Sequence, residues 1–280
     1  MSSDEHPISF TFDLEDHRPS GAAPGDERYP DVTRRVLDFL DARGVRGTFF
    51  VVGDVAERQP GLVREVARRG HELGLHGWRH VPLTELEPSM LGDGIARGKA
   101  LLEDLSGVSV VGFRAPMFSL VSKSRWAVDL VVDAGFTYSS SVLPARSPLF
   151  GDASLPLAPF CWPNGLAELP CPVARVGPFG LPYLGGVYLR ALPRPVSAAA
   201  LRAFGTHRLL WIYCHPYDFD VDEPYWVVPE AGRIGSRLLW YNRGGTFRKI
   251  EALLRGRAAP PLAERVATWG HLPTLEPAVP

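Results

Sequence analysis

Cysteine is scarce: Cys161, Cys171 and Cys214 are the only three in 280 residues. No two form a C-x-x-C pair, so neither a disulfide framework nor a structural zinc knuckle is expected. Long apolar runs are missing too. No stretch reaches the roughly 18 uninterrupted apolar residues of a membrane span, and none is expected. Net charge is nearly absent, with 30 Lys and Arg against 31 Asp and Glu. That balance argues against an electrostatic grip on nucleic acid or on an anionic membrane. It leaves a neutral sugar open as a partner. The opening MSSDEHPISFTFD carries acids where an export signal carries positive charge and then a long apolar run. A cytoplasmic location is the resulting expectation.

What is present is a large apolar fraction, 45%, with 28 glycines and 27 prolines. A chain this long and this apolar can bury a substantial core. The glycines and prolines suggest shaped loops on a rigid frame. In the first half, strand and helix patterns alternate. Strands are expected at 7–13, 46–53, 71–76 and 110–116, and helices at 31–44, 60–70, 89–107 and 124–135. This rhythm implies parallel strands joined by right-handed crossovers. The expected fold class is α/β, a distorted and incomplete (β/α) barrel. From about 142 to 208 the rhythm breaks into Pro-, Gly- and aromatic-rich sequence, read as ordered loops and short strands. LLWIYCHPYDFD (209–220) supplies another buried strand, and a helix follows over 246–256. No internal boundary shows. One domain over 1–280 is expected, with a core at 7–256 and an extension at 257–280 that frays beyond Pro260.

Polar residues gather where strands end. FTFDLED brings Asp13, Glu15 and Asp16, HELGLHGWRH brings His71, His76 and His80, GFRAP brings Arg114, and IYCHP brings His215. In parallel sheets and barrels, active residues sit at the carboxyl ends of strands. His76 and His80 are four apart. On a helical turn that spacing puts both imidazoles on one face, suited to one zinc ion. Alone it is a weak signal, since two solvated histidines satisfy it equally. A hydrolytic zinc site needs a third protein ligand, and the acids after FTF offer one. Asp13 and Glu15 share a face if the strand stays regular; Asp16 joins them only if the chain turns there. A second, unbound carboxylate could deprotonate the attacking water. The plain alternative is a solvated acidic turn. Arg114 is either an ordinary salt-bridge partner or the cation that keeps a catalytic carboxylate ionised. His215 is either a core histidine or a general acid. His71, at the start of its strand, is read as structural.

TFDLED, GHELGLHGWRH, GFRAPMFS, GFTYSSSV and YCHPYDFD together resemble, in order and spacing over roughly 8–220, the motifs of the polysaccharide deacetylase (NodB homology) family. The likeness is greatest to the branch associated with bacterial exopolysaccharide synthesis. The resemblance implies a metal-dependent hydrolase that removes N-acetyl groups from amino sugars. Its partner is then an N-acetylated amino-sugar substrate, and its cofactor a divalent metal, with zinc expected. By the same resemblance Asp13 is the base, Arg114 orients it, His76 and His80 hold the metal, and His215 is the acid. A backbone N–H near Met117 would help stabilise the oxyanion. Tyr188 and Arg190, in YLGGVYLRALP, are candidates to line the sugar site, with a bulged edge strand as the alternative. Trp78, Trp162 and Trp226 are possible sugar platforms.

The chain departs from the family pattern in three respects. Many relatives are exported, whereas the opening here carries no export signal, so the amino sugar is expected in a glycan, a glycolipid, a nucleotide-linked sugar or a glycosylated metabolite. Leu14 follows Asp13 where two adjacent acids are commonest, so the metal carboxylate is Glu15 or Asp16. Ser139 stands where many relatives have an aspartate. That leaves open what orients His215, with Asp218 and Asp220 as candidates. A glycan-binding module without turnover, and a deformylase or other amide hydrolase on the same metal site, are the competing readings.

Overall fold

The computed structural model describes residues 6–18, 27–147, 149–176, 179–204 and 209–276. The first half alternates β1 (Ile8–Leu14), α1 (Tyr29–Asp41), β2 (Gly47–Val51), α2 (Gly53–Arg58), α3 (Pro60–Arg68), β3 (Glu72–Leu75), α4 (Pro88–Ser106), β4 (Gly112–Phe113), α5 (Ala127–Asp133) and β5 (Tyr138–Ser139). The second half continues with β6 (Phe160–Cys161), β7 (Ala167–Glu168), β8 (Val173–Val176), β9 (Phe179–Pro182), α6 (Gly186–Ala191), α7 (Arg194–Phe204), β10 (Leu210–Cys214), α8 (Gly232–Trp240), α9 (Thr246–Leu254), β11 (Ala258–Ala259) and α10 (Leu262–Thr268). Among the described residues no helix is long and apolar enough to cross a membrane.

Nine strands form one sheet in the order β10-β1-β2-β3-β4-β5-β7-β6, with β11 also pairing β1. Every pairing in it is parallel except β6 with β7. The sheet curls into an open, distorted (β/α) barrel, as the alternating pattern implies. Its core is aromatic. Phe12 lies 5.3 Å from Phe49 and 6.1 Å from Phe219 between ring centroids, and all three are buried. Burying one such side chain is worth roughly 1.5–3 kcal/mol. Helix α1 shows how the amphipathic pattern is used: Val32, Val36, Leu37 and Leu40 are buried on one face.

Strand register builds the site. Leu14 pairs with Val51, Val51 with Leu75, Leu75 with Phe113, and Phe113 with Ser139. One residue further along, Glu15, His76, Arg114 and Ser140 therefore leave the sheet side by side. Because Phe12 pairs with Cys214, Asp13 and His215 come next to each other in the same way.

Three expectations need correction. The 142–208 region contains helices α6 and α7 as well as loops and short strands, and within YLGGVYLRALP the residues Gly186–Ala191 form α6 after a single bridge from Gly185 to Tyr213, in place of a bulged strand. The strand expected over 110–116 shrinks to Gly112–Phe113, although the Arg114 N–H still donates to the Leu75 carbonyl at 2.9 Å before Pro116, which has no N–H to pair, ends the run. The tail does not fray at Pro260. Strand β11 pairs with β1, Leu262 is fully buried, and Thr274 bridges Cys161. Residues 277–280 lie outside the described residues.

Candidate active site

His76 and His80 do not share a helical turn. They stand on a bent loop after β3 that folds back on itself, leaving their ring centroids 5.1 Å apart. Gly77 makes the bend at φ +73°, where a side chain is strained; a Cβ there would also lie 3.1 Å from the Arg79 carbonyl oxygen. Helix α2, which the sequence pattern did not reveal, holds the loop from outside. The N–H groups of Gly53 and Asp54 donate to the carbonyls of Gly77 and Trp78, both at 2.9 Å. Trp78 itself packs under Arg97, whose guanidinium sits 3.7 Å from the ring centroid.

Glu15, His76 and His80 form a group whose ligand atoms all lie within 4.8 Å of one another. Glu15 Oε2 is 2.7 Å from His80 Nε2 and 3.7 Å from His76 Nε2. His76 Nδ1 lies 2.9 Å from the Arg114 carbonyl oxygen. That carbonyl can only accept, so Nδ1 carries the proton and the Nε2 lone pair faces Glu15. Glu15 Oε2 is buried and takes part in no properly directed hydrogen bond, despite its closeness to His80. One carboxylate and two imidazole nitrogens with an orphaned buried oxygen fit a divalent cation such as zinc. The electrostatics agree. Burial disfavours a charged Glu15, but His80, His215 and His76 together hold it well below the carboxylate range. Burial pushes His76 down to about 4, keeping its imidazole neutral. His80 is raised, because Glu15 outweighs the opposing effect of burial.

Asp16, the other candidate carboxylate, is not in this group. It accepts from Arg18 Nε at 2.9 Å and Nη2 at 2.8 Å. The chain leaves β1 after Leu14, and this guanidinium takes Asp16 away from the histidines.

Asp13 is held from the opposite side. Arg114 Nη1 donates to Asp13 Oδ1 at 2.5 Å and to Thr11 Oγ1 at 2.9 Å, and its Nε donates to Ser140 Oγ at 2.9 Å. The guanidinium is fully buried, sandwiched over Phe50 at 4.0 Å and Trp211 at 4.4 Å. Asp13 Oδ2 remains 3.9 Å from His76 Nε2 and 3.8 Å from His215 Nε2.

His215 is oriented by Asp218, whose Oδ2 accepts its backbone N–H at 2.8 Å and pairs with Nδ1 at 3.0 Å. Asp220 is instead clamped by Arg28 at 2.6 and 2.8 Å. Burial alone would lower the His215 pKa; Asp218, Glu15 and Asp13 overcome it and push it up to about 9. Arg190 does not line an open site. It is 1% exposed and donates from Nε to Asp218 Oδ1 at 2.8 Å. The paired glycines before it admit Tyr213: a Cβ on Gly185 would fall 2.2 Å from that ring. Tyr188 stays 40% exposed on α6. Met117 and Phe118 both sit at positive φ, 57° and 54°, a strained pair directly after Arg114–Pro116. Trp162 is core, with 3% exposure, and Trp226 stacks on His17 at 5.7 Å.

A carboxylate–histidine–histidine group beside an Arg-held aspartate and an Asp-held histidine is chemically suited to metal-assisted amide hydrolysis. Residues 2–139 match the family model for polysaccharide deacetylase, and 140–259 match a domain of unknown function, DUF3473. Residues 2–139 form a domain of the polysaccharide deacetylase family. The two matches meet at β5, yet the one sheet draws strands from both. A peptidoglycan deacetylase-like protein of Gibberella zeae is 31% identical over 126 residues, 44% of this chain and 36% of that protein. A peptidoglycan-N-acetylglucosamine deacetylase of Listeria monocytogenes is 30% identical over 132 residues, 44% and 26%. The chain thus aligns with well under half the length of these curated relatives. A crystal structure of a candidate polysaccharide deacetylase from Mycobacterium smegmatis superimposes with TM-score 0.61 at 23% identity, covering 100% of this chain and 98% of that one. A Bacillus anthracis CE4 family pseudoenzyme shares the fold at TM-score 0.52 and 12% identity, covering 94% and 66%.

Sequence reasoning missed the parts that support the site: Thr11, Ser140, the Phe50–Trp211 sandwich and Arg190 as partner of Asp218. Only the proximity of Asp218 to His215 in HPYD was legible beforehand.

Proposed function

We propose that this protein hydrolyses the N-acetyl group of an amino sugar, with a divalent cation, zinc by its donor set, held by Glu15, His76 and His80. Held there by Glu15, His76 and His80, such a cation would supply Lewis-acid chemistry, polarising the acetamide carbonyl and lowering the pKa of the attacking water. Asp13 takes the proton from that water, and Arg114 holds its carboxylate in position through the Nη1–Oδ1 hydrogen bond. His215 gives a proton to the departing nitrogen, held in register by Asp218. The Met117 N–H donates to the developing oxyanion. Tyr188 is exposed enough to meet the sugar. Arg190 acts through Asp218 and touches no substrate.

The observation that carries this reading is convergence. Asp13 Oδ2 stands 3.8 Å from the acid His215 and 3.9 Å from His76 of the cation group. Three strand ends thus deliver base, acid and ligands to one reacting centre. The fold shared with a pseudoenzyme, together with Ser139, motivates the second reading, a glycan-binding module without turnover. Asp218 weighs against it by supplying a carboxylate partner for His215.

Acetate release from N-acetylglucosamine oligomers, after zinc loading, separates the two. Turnover by the wild type that is lost in His76→Ala/His80→Ala supports hydrolysis. Oligomer binding without acetate release across N-acetylated sugars, in folded and zinc-loaded protein, would make it a binding module. Release of formate from N-formyl sugars in place of acetate would reassign the acyl group.

A further inference from the structure

Large apolar side chains that stay exposed are not spread evenly over this protein. Of the eleven among the described residues, six fall in one stretch: Val221, Tyr225, Val227, Ile234, Leu238 and Tyr241. Ile234 is 80% exposed and Tyr241 54%. Tyr225, Val227 and Ile234 share one surface depression with Arg233 and Arg237. On α8, Ile234 and Leu238 are four residues apart and so are Arg233 and Arg237, which gives adjoining apolar and cationic stripes. The opposite face of α8 is already anchored. Ser236 is buried and bonded to Val228 and Gly232, and the Trp240 ring meets Trp226 at 5.8 Å. Neither Ile234 nor Leu238 belongs to the hydrophobic core of the described residues.

The patch is continuous with the candidate active site through a row of stacked and edge-on ring contacts. His215 lies 4.7 Å from Tyr217, Tyr217 4.7 Å from His17, and His17 5.7 Å from Trp226. Trp226 then meets Trp240, and Trp240 lies 5.3 Å from Tyr225 at the patch.

We infer that α8 and the segment before it form a docking surface for a bilayer containing anionic phospholipid. Neither Arg233 nor Arg237 meets a carboxylate among the described side chains, so both are free for lipid phosphates. Ile234, Leu238 and Val227 supply the apolar face that enters the headgroup boundary. Tyr225 and Tyr241 are amphipathic rings suited to that interface. The net charge of −1 averages over the whole chain and does not describe this face. The inference does not depend on deacetylation, since docking is read without turnover.

Co-sedimentation of the full chain with lipid vesicles tests it. Binding to mixed phosphatidylcholine/phosphatidylglycerol vesicles should be at least about tenfold tighter than to pure phosphatidylcholine, and weaken with salt. Ile234→Asp/Leu238→Asp should abolish binding with an unchanged melting curve, because both side chains point outward. Arg233→Gln/Arg237→Gln should lose the preference for anionic vesicles. Failure of the wild type to bind the mixed vesicles, or equal binding by the Ile234→Asp/Leu238→Asp variant, overturns the inference. A dimer in sedimentation velocity that this variant disperses, with no vesicle binding, would give the surface to a second copy instead.

Discussion

Asp218 pairs with His215 twice through one oxygen, with the backbone N–H at 2.8 Å and with Nδ1 at 3.0 Å, while its other oxygen accepts from the buried Arg190 at 2.8 Å. The imidazole is thereby fixed in orientation and tautomer from within its own chain segment. No aspartate from the Ser139 position is needed. Ser139 instead bonds Ser141 at 2.7 Å, and Ser141 accepts the Ala115 N–H at 2.8 Å.

Asp218→Asn should lower kcat by about 10²-fold or more, within the range typical of general acid–base catalysis, and leave KM little changed. The same change strands the Arg190 charge and should cost about 3–5 kcal/mol of stability. Asp218→Asn/Arg190→Gln should recover much of that stability but not the activity. Steady-state kinetics and thermal melts on the three proteins check this. Recovery of kcat in the double variant would rule out the orienting role.

Glu15 and Asp16 are separated by metal content. Glu15→Gln should weaken zinc binding by more than about 100-fold, since loss of an outer-shell partner alone typically costs about 10–100-fold. Asp16→Asn should leave zinc binding unchanged and weaken only its pairings with Arg18 and Arg58, each worth at most about 1 kcal/mol at a partly exposed site. Elemental analysis after dialysis against a chelator gives the answer. Zinc lost from the Asp16 variant alone would reverse the assignment.

Gly77→Ala should destabilise the fold by about 1–3 kcal/mol through its positive φ and the crowded Arg79 carbonyl. It should also weaken zinc binding, because the bend that brings His80 to His76 is the part displaced. Zinc titration beside a melting curve checks both effects. Unchanged zinc affinity in a destabilised variant would show that the bend does not set the ligand geometry.

His71 should make stability depend on pH. Its Nδ1 accepts the Gly47 N–H at 3.1 Å in the core, and burial lowers its pKa from 6.5 to about 4. The unfolded chain therefore takes up a proton between those values that the folded chain refuses. Stability should fall as pH drops from about 6.5 toward 4, by on the order of 2–3 kcal/mol from this group. His71→Asn keeps an acceptor for Gly47 without the titration. Urea unfolding of both proteins at several pH values should show a shallower acid slope in the variant, and identical slopes would clear His71 of the effect.

By itself the sequence determined the alternation of strands and helices, the curled parallel sheet it implies, and the chemical types gathered at strand ends. Local propensity and period carry that information: buried strands such as GTFFV and faces such as Val32–Val36–Leu40 depend on near neighbours. Only the tertiary structure decided which acid faces the histidines, because Glu15 and Asp16 are adjacent and differ by where Arg18 reaches. It decided that His76 and His80 meet across a bend closed by α2, although their spacing also suits a helix. It decided, too, that Arg190 serves Asp218 from inside the protein. Those outcomes depend on contacts between segments as far apart as Thr11 and Arg114, or Arg190 and Tyr241, and no local pattern encodes which distant groups will share one buried volume.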